Sequence, residues 1–154
     1  MADKNNSKGF KKILFPTDFT DASVAAASYA MMLARQNKAK LYVLHVMDVS
    51  KEAAGFYLPH LSFERLDKEM RGVAGEMLKN FCAKQFKGFR NVEMHVLAGE
   101  PFKEILKVVK GSKIDLVVMG TFGKARVDRL LFGSTTERVV RRAECPVLVI
   151  PPSK

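Results

Sequence analysis

A five-stranded parallel sheet of order 3-2-1-4-5, doubly wound with helices on both faces, is the fold this sequence predicts. Segments of strand and helix character alternate strictly along the chain, the pattern of a parallel α/β sheet. The strand-like runs are almost continuously apolar, as in "AKLYVLHVMDV" at 39–49, and that is how strands covered on both faces read. The size agrees, since 154 residues of which 47% are apolar can bury one core without disulfide or metal staples. The expected organisation is a disordered tail over 1–8 and a single domain over 9–154.

After the tail, "KKILFPTD" at 11–18 is a short apolar run stopped by Pro16, a buried strand. "ASVAAASYAMMLARQN" at 22–37 is a helix with Val24, Ala27, Met31 and Ala34 at helical spacing and Asp21 as N-cap, its small residues allowing close packing on a sheet. "AKLYVLHVMDV" supplies the second strand. Residues 48–61 contain Gly55 and Pro59 without a clear period and read as a loop or irregular lid. Phe63, Leu66, Met70, Val73, Met77 and Phe81 then mark the apolar face of a long amphipathic helix. "NVEMHVLAG" at 91–99 alternates, with Val92, Met94 and Val96 set against Glu93 and His95, which suits an edge strand. The next helix, "EPFKEILKVVKG" at 100–111, has Pro101 in its first turn, Phe102, Ile105, Leu106 and Val109 on one face, and Gly111 as terminator. "IDLVVMG" is the fourth strand, "STTERVVRRAE" the last helix and "CPVLVIPP" the fifth strand.

In such sheets a ligand lies beyond the carboxyl ends of the strands where the winding reverses. For the order 3-2-1-4-5 that point falls between the first and fourth strands. The segments leaving them are "PTDFTD" and "GTFGKARVDRLLFGSTT" at 120–136. Gly133 precedes a helix start, so the backbone N–H groups of Ser134, Thr135 and Thr136 would face outward at the positive end of a helix dipole, a phosphate site. Gly120 and Gly123 allow a sharp turn and close approach of backbone to a sugar or phosphate. Lys124, Arg126 and Arg129 can face anionic oxygens, and Leu130 to Phe132 can anchor the loop. A ligand-free alternative stands beside this one: Ser134 with Glu137 three residues on is also a capping box. The stretch is not a Walker loop, because Ala125 follows Lys124, and no G-x-G-x-x-G follows the first strand.

Taken together, Gly120-x2-Gly123-x9-Gly133-Ser134, "ILFPTDFT" at 13–20, "LHV" at 44–46 and "CPVLVIP" at 145–151 resemble the universal stress protein family, over essentially the whole chain after the tail. The glycine motif resembles that of the family's ATP-binding branch. The resemblance implies an adenine nucleotide alpha hydrolase-like fold and an ATP-binding regulatory protein of the stress response, with an ATP-hydrolysing or phosphoryl-transferring enzyme as the alternative. It implies that Pro16, Thr17, Asp18 and the backbone near Val46 hold the adenosine part. Met119 and Gly120 would flank the ribose, and Gly123, Gly133, Ser134 and Thr135 the phosphates. Asp18 also has a ligand-free reading as a cap or turn residue for the first helix. Mg or Mn would be held mainly through the phosphates, since no carboxylate cluster is visible. The resemblance further implies a homodimer through Val147–Ile150, paired antiparallel across a two-fold axis.

Other features narrow the function classes. No apolar run is long enough to span a membrane and the first residues lack a signal-like apolar segment, so a cytoplasmic protein is expected. Cys82 and Cys145 have no metal or disulfide spacing, and His45, His60 and His95 are dispersed. Cys145 reads as a small buried residue, His45 as a satisfied histidine at a strand end, and Met31, Met32, Met70 and Met77 as core packing. Arg138, Arg141 and Arg142 read as a solvated helix face that can extend a basic field toward the phosphates. The net charge of +10 attracts anions in general. Residues 78–154 hold most of the excess, 15 Lys and Arg against 7 Asp and Glu. No basic motif interleaved with aromatics accompanies it, so nucleic-acid binding is not expected.

Overall fold

The computed structural model describes residues 9–49, 63–121 and 133–152. Within them run β1 (Lys12–Pro16), α1 (Asp21–Asn37), β2 (Lys40–Asp48), α2 (Phe63–Gln85), β3 (Val92–Gly99), α3 (Pro101–Gly111), β4 (Leu116–Gly120), α4 (Ser134–Arg142) and β5 (Val147–Ile150). The strands lie in the order β3-β2-β1-β4-β5 and every pair is parallel, as the alternation predicts. The tail, most of the segment at 48–61 and the loop from Phe122 to Phe132 lie outside the described residues.

The continuous apolar character of β1 has its cause in two separate cores. Ile13 and Phe15 belong to the cluster beneath α1 and α2, with Ala26, Ala30, Leu78 and Phe86. Leu14, between them, points into the opposite cluster with Phe102, Ile105, Val109 and Val139 of α3 and α4. Both faces of the central strands are dry, so a polar residue on either face would cost a desolvated group.

The seats of two helices differ from the expected ones. In α1 the buried positions are Ala22, Ser23, Ala26, Ala27, Ala30 and Ala34, while Val24 and Met32 are exposed. An alanine stripe at i, i+4 wins because it brings the helix axis nearer the sheet than valine or methionine would allow. The N-cap is Thr20, not Asp21, and its side chain does not cap the helix. In α2 the buried stripe is Ala74, Leu78 and Cys82, continued by Phe86, whereas Val73 at 63% and Met77 at 48% exposure face outward. Ala74 and Cys82 hold two of the deep positions against β2 and β3, and the large Leu78 and Phe86 hold the others, so residue size alone does not decide which face is buried. Met32 and Met77 are therefore not core residues. In α3 Pro101 opens the first turn as expected, but Gly111 stays helical; Ser112 is the C-cap and Lys113 takes the left-handed φ of 54°. A direct check follows from α2. Leu78→Ala should lower unfolding free energy in urea by about 3 kcal/mol, and Val73→Ser by less than about 0.5 kcal/mol.

β3 and β5 are the sheet edges. One face of β3 carries a satisfied polar group: Glu93 pairs with Lys40 and with His95, whose ring stacks on Tyr42. Bonding to Lys40 first, and then to His95, holds the Glu93 carboxyl below its ordinary range.

Candidate functional site

β1 and β4 pair at Ile13↔Leu116 and Leu14↔Val117, yet the chain leaves them toward opposite faces, to α1 and to α4. A crevice beyond their carboxyl ends follows from that divergence. Its two walls are Thr17–Thr20 and the junction of Gly120–Thr121 with the start of α4.

The first wall is fixed by a local network. The Thr17 N–H donates to the Leu44 carbonyl at 2.8 Å, and Nδ1 of His45 lies 2.8 Å from the Thr17 carbonyl. The buried Thr17 hydroxyl bonds Ser23 and accepts from the Phe19 N–H at 3.0 Å. Asp18 Oδ1 accepts from the Thr20 N–H at 3.0 Å and from the Thr20 hydroxyl, which builds the turn that enters α1. The ligand-free reading of Asp18 as a turn residue is thus realised at one carboxylate oxygen. Phe19 adopts a left-handed φ of 65°, a conformation costly for a large side chain. Its ring is held 4.4 Å from His45 and 5.7 Å from Phe81, so packing offsets the backbone cost.

The second wall is the N-terminus of α4. Gly133 is the N-cap residue, with φ −57° and ψ 152°, and among the described residues no side chain caps the helix. The capping box does not form. Ser134 is already the first helical residue, and the Glu137 carboxylate pairs with Arg141 at 3.0 Å instead of turning back. The end of α4 is bound to the end of β4 twice: the Gly133 N–H donates to the Thr121 carbonyl, and the Thr136 hydroxyl donates to the Gly120 carbonyl at 2.9 Å. These bonds hold the N-terminus of α4, which no described side chain caps, beside the ends of β1 and β4. Beside it the buried Thr121 hydroxyl has no hydrogen-bond partner among the described residues. A buried hydroxyl left without a partner is destabilising, and an oxygen-rich ligand would satisfy it.

Gly120 has a role other than a sharp turn. Its φ is not left-handed, but a Cβ there would stand 2.6 Å from the Ala22 carbonyl oxygen. The residue must be glycine so that the first turn of α1 can lie against the end of β4.

The sequence-predicted residues Pro16, Thr17, Asp18, Met119, Gly120, Gly133, Ser134 and Thr135 all fall at this end of the sheet. Met119 is buried in the α3–α4 core. Val46 is half-buried on β2, two residues beyond the carbonyl that receives Thr17. Gly123, Lys124, Arg126 and Arg129 lie outside the described residues. Arg138 and Arg142 do not serve the crevice; their guanidinium groups sit 4.9 and 5.2 Å from the Phe102 ring centre, and Arg138 also pairs with Glu100 at 3.0 Å. Thr121, Ser23 and Phe19 were not singled out by sequence, although Thr121 stands inside the glycine stretch. Burial pushes the Cys82 thiol up to about 11, and burial followed by the Asp115 charge raises Cys145. Neither cysteine is an activated nucleophile.

The model of the universal stress protein family matches residues 9–151. This chain belongs to that family. Universal stress protein MJ0531 of Methanocaldococcus jannaschii is 37% identical over 152 residues, covering 98% of this chain and 88% of the relative. The solved structure of MJ0577 superposes with a TM-score of 0.76 at 28% identity, covering 95% of this chain and 99% of that one. Two further solved structures share the fold at lower identity. A universal stress protein in complex with cAMP has a TM-score of 0.69 at 20% identity, covering 94% of this chain and 99% of that one. The universal stress protein of Archaeoglobus fulgidus in complex with dAMP has a TM-score of 0.63 at 21% identity, covering 92% and 98%. Both of those proteins bind an adenine nucleotide. Among the described residues of this chain, no helix is long and apolar enough to cross a membrane.

Proposed function

We propose that this universal stress protein binds ATP in the crevice between β1 and β4 and acts as a nucleotide-dependent regulatory protein of the stress response. The supporting observation is the N-terminus of α4, tied to β4 beside the Thr121 hydroxyl, with neither a side-chain cap nor a partner for that hydroxyl among the described residues. Backbone N–H groups at such a terminus suit phosphate oxygens. The adenine nucleotides held by two relatives of the same fold point to the same chemistry. In this reading Pro16, Thr17, Asp18 and the backbone near Val46 hold the adenosine, Met119 and Gly120 flank the ribose, and Gly123, Gly133, Ser134 and Thr135 hold the phosphates. Lys124, Arg126 and Arg129 neighbour the phosphates, and Mg or Mn is bound through them.

Regulation requires the loaded and empty states to differ in affinity for a protein partner, since a ligand that binds both equally shifts nothing. Fast phosphoryl transfer needs an oriented nucleophile and an electrophilic clamp in one site. Of the carboxylates near the crevice, Asp18 is engaged at one oxygen by Thr20, Glu137 is paired with Arg141, and Asp128 lies outside the described residues; at most slow hydrolysis is inferred. In the same reading the protein works in the cytoplasm as a homodimer paired through Val147–Ile150.

Mass spectrometry of nucleotide released on denaturing the purified protein, with calorimetry of the emptied protein against ATP and GTP, tests the reading. ATP is expected in the released fraction and as the preferred ligand with Mg or Mn. Absence of ATP affinity in the emptied, folded protein would falsify it.

A further inference from the structure

We propose that the free edge of β3, at the end of the domain away from the crevice, docks an extended acidic segment of a partner protein. A groove of about 420 Å³ runs there between the last turns of α2 and the start of β3. Its floor is apolar, made by Cys82, Ala83, Phe86, Phe89, Val92 and Met94. Phe86 is locked from below by edge-on contacts with Phe15 and Phe81 at 5.7 and 6.2 Å, so the floor is part of the core and is preformed.

The groove adjoins backbone that no described strand pairs with. Asn91 gives its carbonyl to the Leu41 N–H of β2. Main-chain groups alternate in direction along a strand, so those of Val92, Met94 and Val96 point away from β2, where no described strand pairs with them. An eight-residue edge with a 46% exposed methionine and no proline is a template for strand addition. An added strand would bond these groups and place every second side chain over Cys82, Phe86 and Met94.

Charge selects the occupant. Lys79, Lys87 and Arg90 line the groove and Arg35 approaches at Gly88, whose Cβ position is 3.8 Å from its guanidinium. None of these four cations has an ion-pair partner among the described residues, whereas Glu93, on the other face of β3, is already paired with Lys40 and His95. A second copy of this chain, itself at +10, is a poor match for such a rim; a segment alternating acidic and apolar residues matches both rim and floor. This surface does not depend on whether the crevice holds nucleotide.

The probe is a fluorescein-labelled, end-capped decapeptide of alternating Glu and Val, compared with the Lys and Val version. Anisotropy should show binding of the acidic peptide alone, weakening as salt rises. Amide exchange measured by NMR should show new protection at Val92, Met94 and Val96. Lys87→Glu with Arg90→Glu should weaken binding at least about tenfold, and the neutral pair Lys87→Gln with Arg90→Gln should weaken it less, with unchanged circular dichroism in both. Equal binding of the two peptides, or acidic-peptide binding without protection of the β3 amides, overturns the proposal. So does concentration-dependent protection of those amides in the protein alone, which would assign the edge to a second copy.

Discussion

Gly133→Asp is expected to make the protein more stable and nearly unable to hold ATP. The backbone at 133, with φ −57° and ψ 152°, is open to any residue and already has the extended geometry of an N-cap. An aspartate there would accept from N–H groups that no described side chain caps, and its charge would interact favourably with the helix dipole. The gain in stability is about 0.5–1 kcal/mol, read as a rise in melting temperature of the nucleotide-free protein. The same carboxylate would occupy the N–H groups proposed for the phosphates and repel the phosphates by charge. Affinity for ATP should fall at least about a hundredfold, or roughly 3 kcal/mol. Gly133→Asn separates the two causes, because it competes for the N–H groups without charge; a fall of about tenfold is expected. Thermal unfolding and titration calorimetry on all three proteins give both readouts. Unchanged ATP affinity in the aspartate variant would remove the α4 terminus from the site.

The opposite signs of those effects explain why the sequence was ambiguous here. Ser134 and Glu137 have the spacing of a capping box, but the helix begins one residue earlier than the box needs. The residue at the third helical position is Thr136, and its hydroxyl is bonded to Gly120 on the neighbouring strand. That tertiary bond fixes the frame, and no local pattern reports it. The strand order was legible for a different reason: Ile13, Leu14 and Phe15 must be dry on both faces, and only a doubly wound sheet offers that. The stripe on α2 was misplaced by one position because Ala74, Leu78 and Cys82 form a second face one residue on from Val73 and Met77, and side-chain size does not choose between the two. Glycine was a partial guide to backbone conformation. Among the described residues positive φ occurs at Gly88 and Gly99, but also at Phe19, Lys38 and Lys113, where side-chain packing or helix termination imposes it, and Gly120 is needed for space instead. The location of the candidate site was readable from topology and the glycine stretch. Its chemistry depends on contacts across 100 or so residues of chain, such as Ala22 against Gly120, which only the folded structure brings together.

Gly120→Ala tests that contact and should be the more damaging of the glycine changes. The added methyl would meet the Ala22 carbonyl oxygen at 2.6 Å and its carbonyl carbon at 2.8 Å. Both atoms are backbone in the first turn of α1, so no rotamer change relieves the overlap and the helix must move off β4. Overpacking of this kind costs about 1–3 kcal/mol, the upper end being expected where the obstruction is backbone. Moving α1 would also disturb the Ser23 hydroxyl that holds Thr17, and with it the first wall of the crevice. Urea unfolding should therefore show a loss of about 3 kcal/mol, with nucleotide affinity reduced in the protein that remains folded. Ala22→Gly in the same chain removes only the Cβ contact at 3.2 Å and leaves the carbonyl in place. Little rescue is expected from the double variant. Full recovery of stability in it would mean that side-chain crowding, and not the approach of α1 backbone to β4, sets the requirement for glycine.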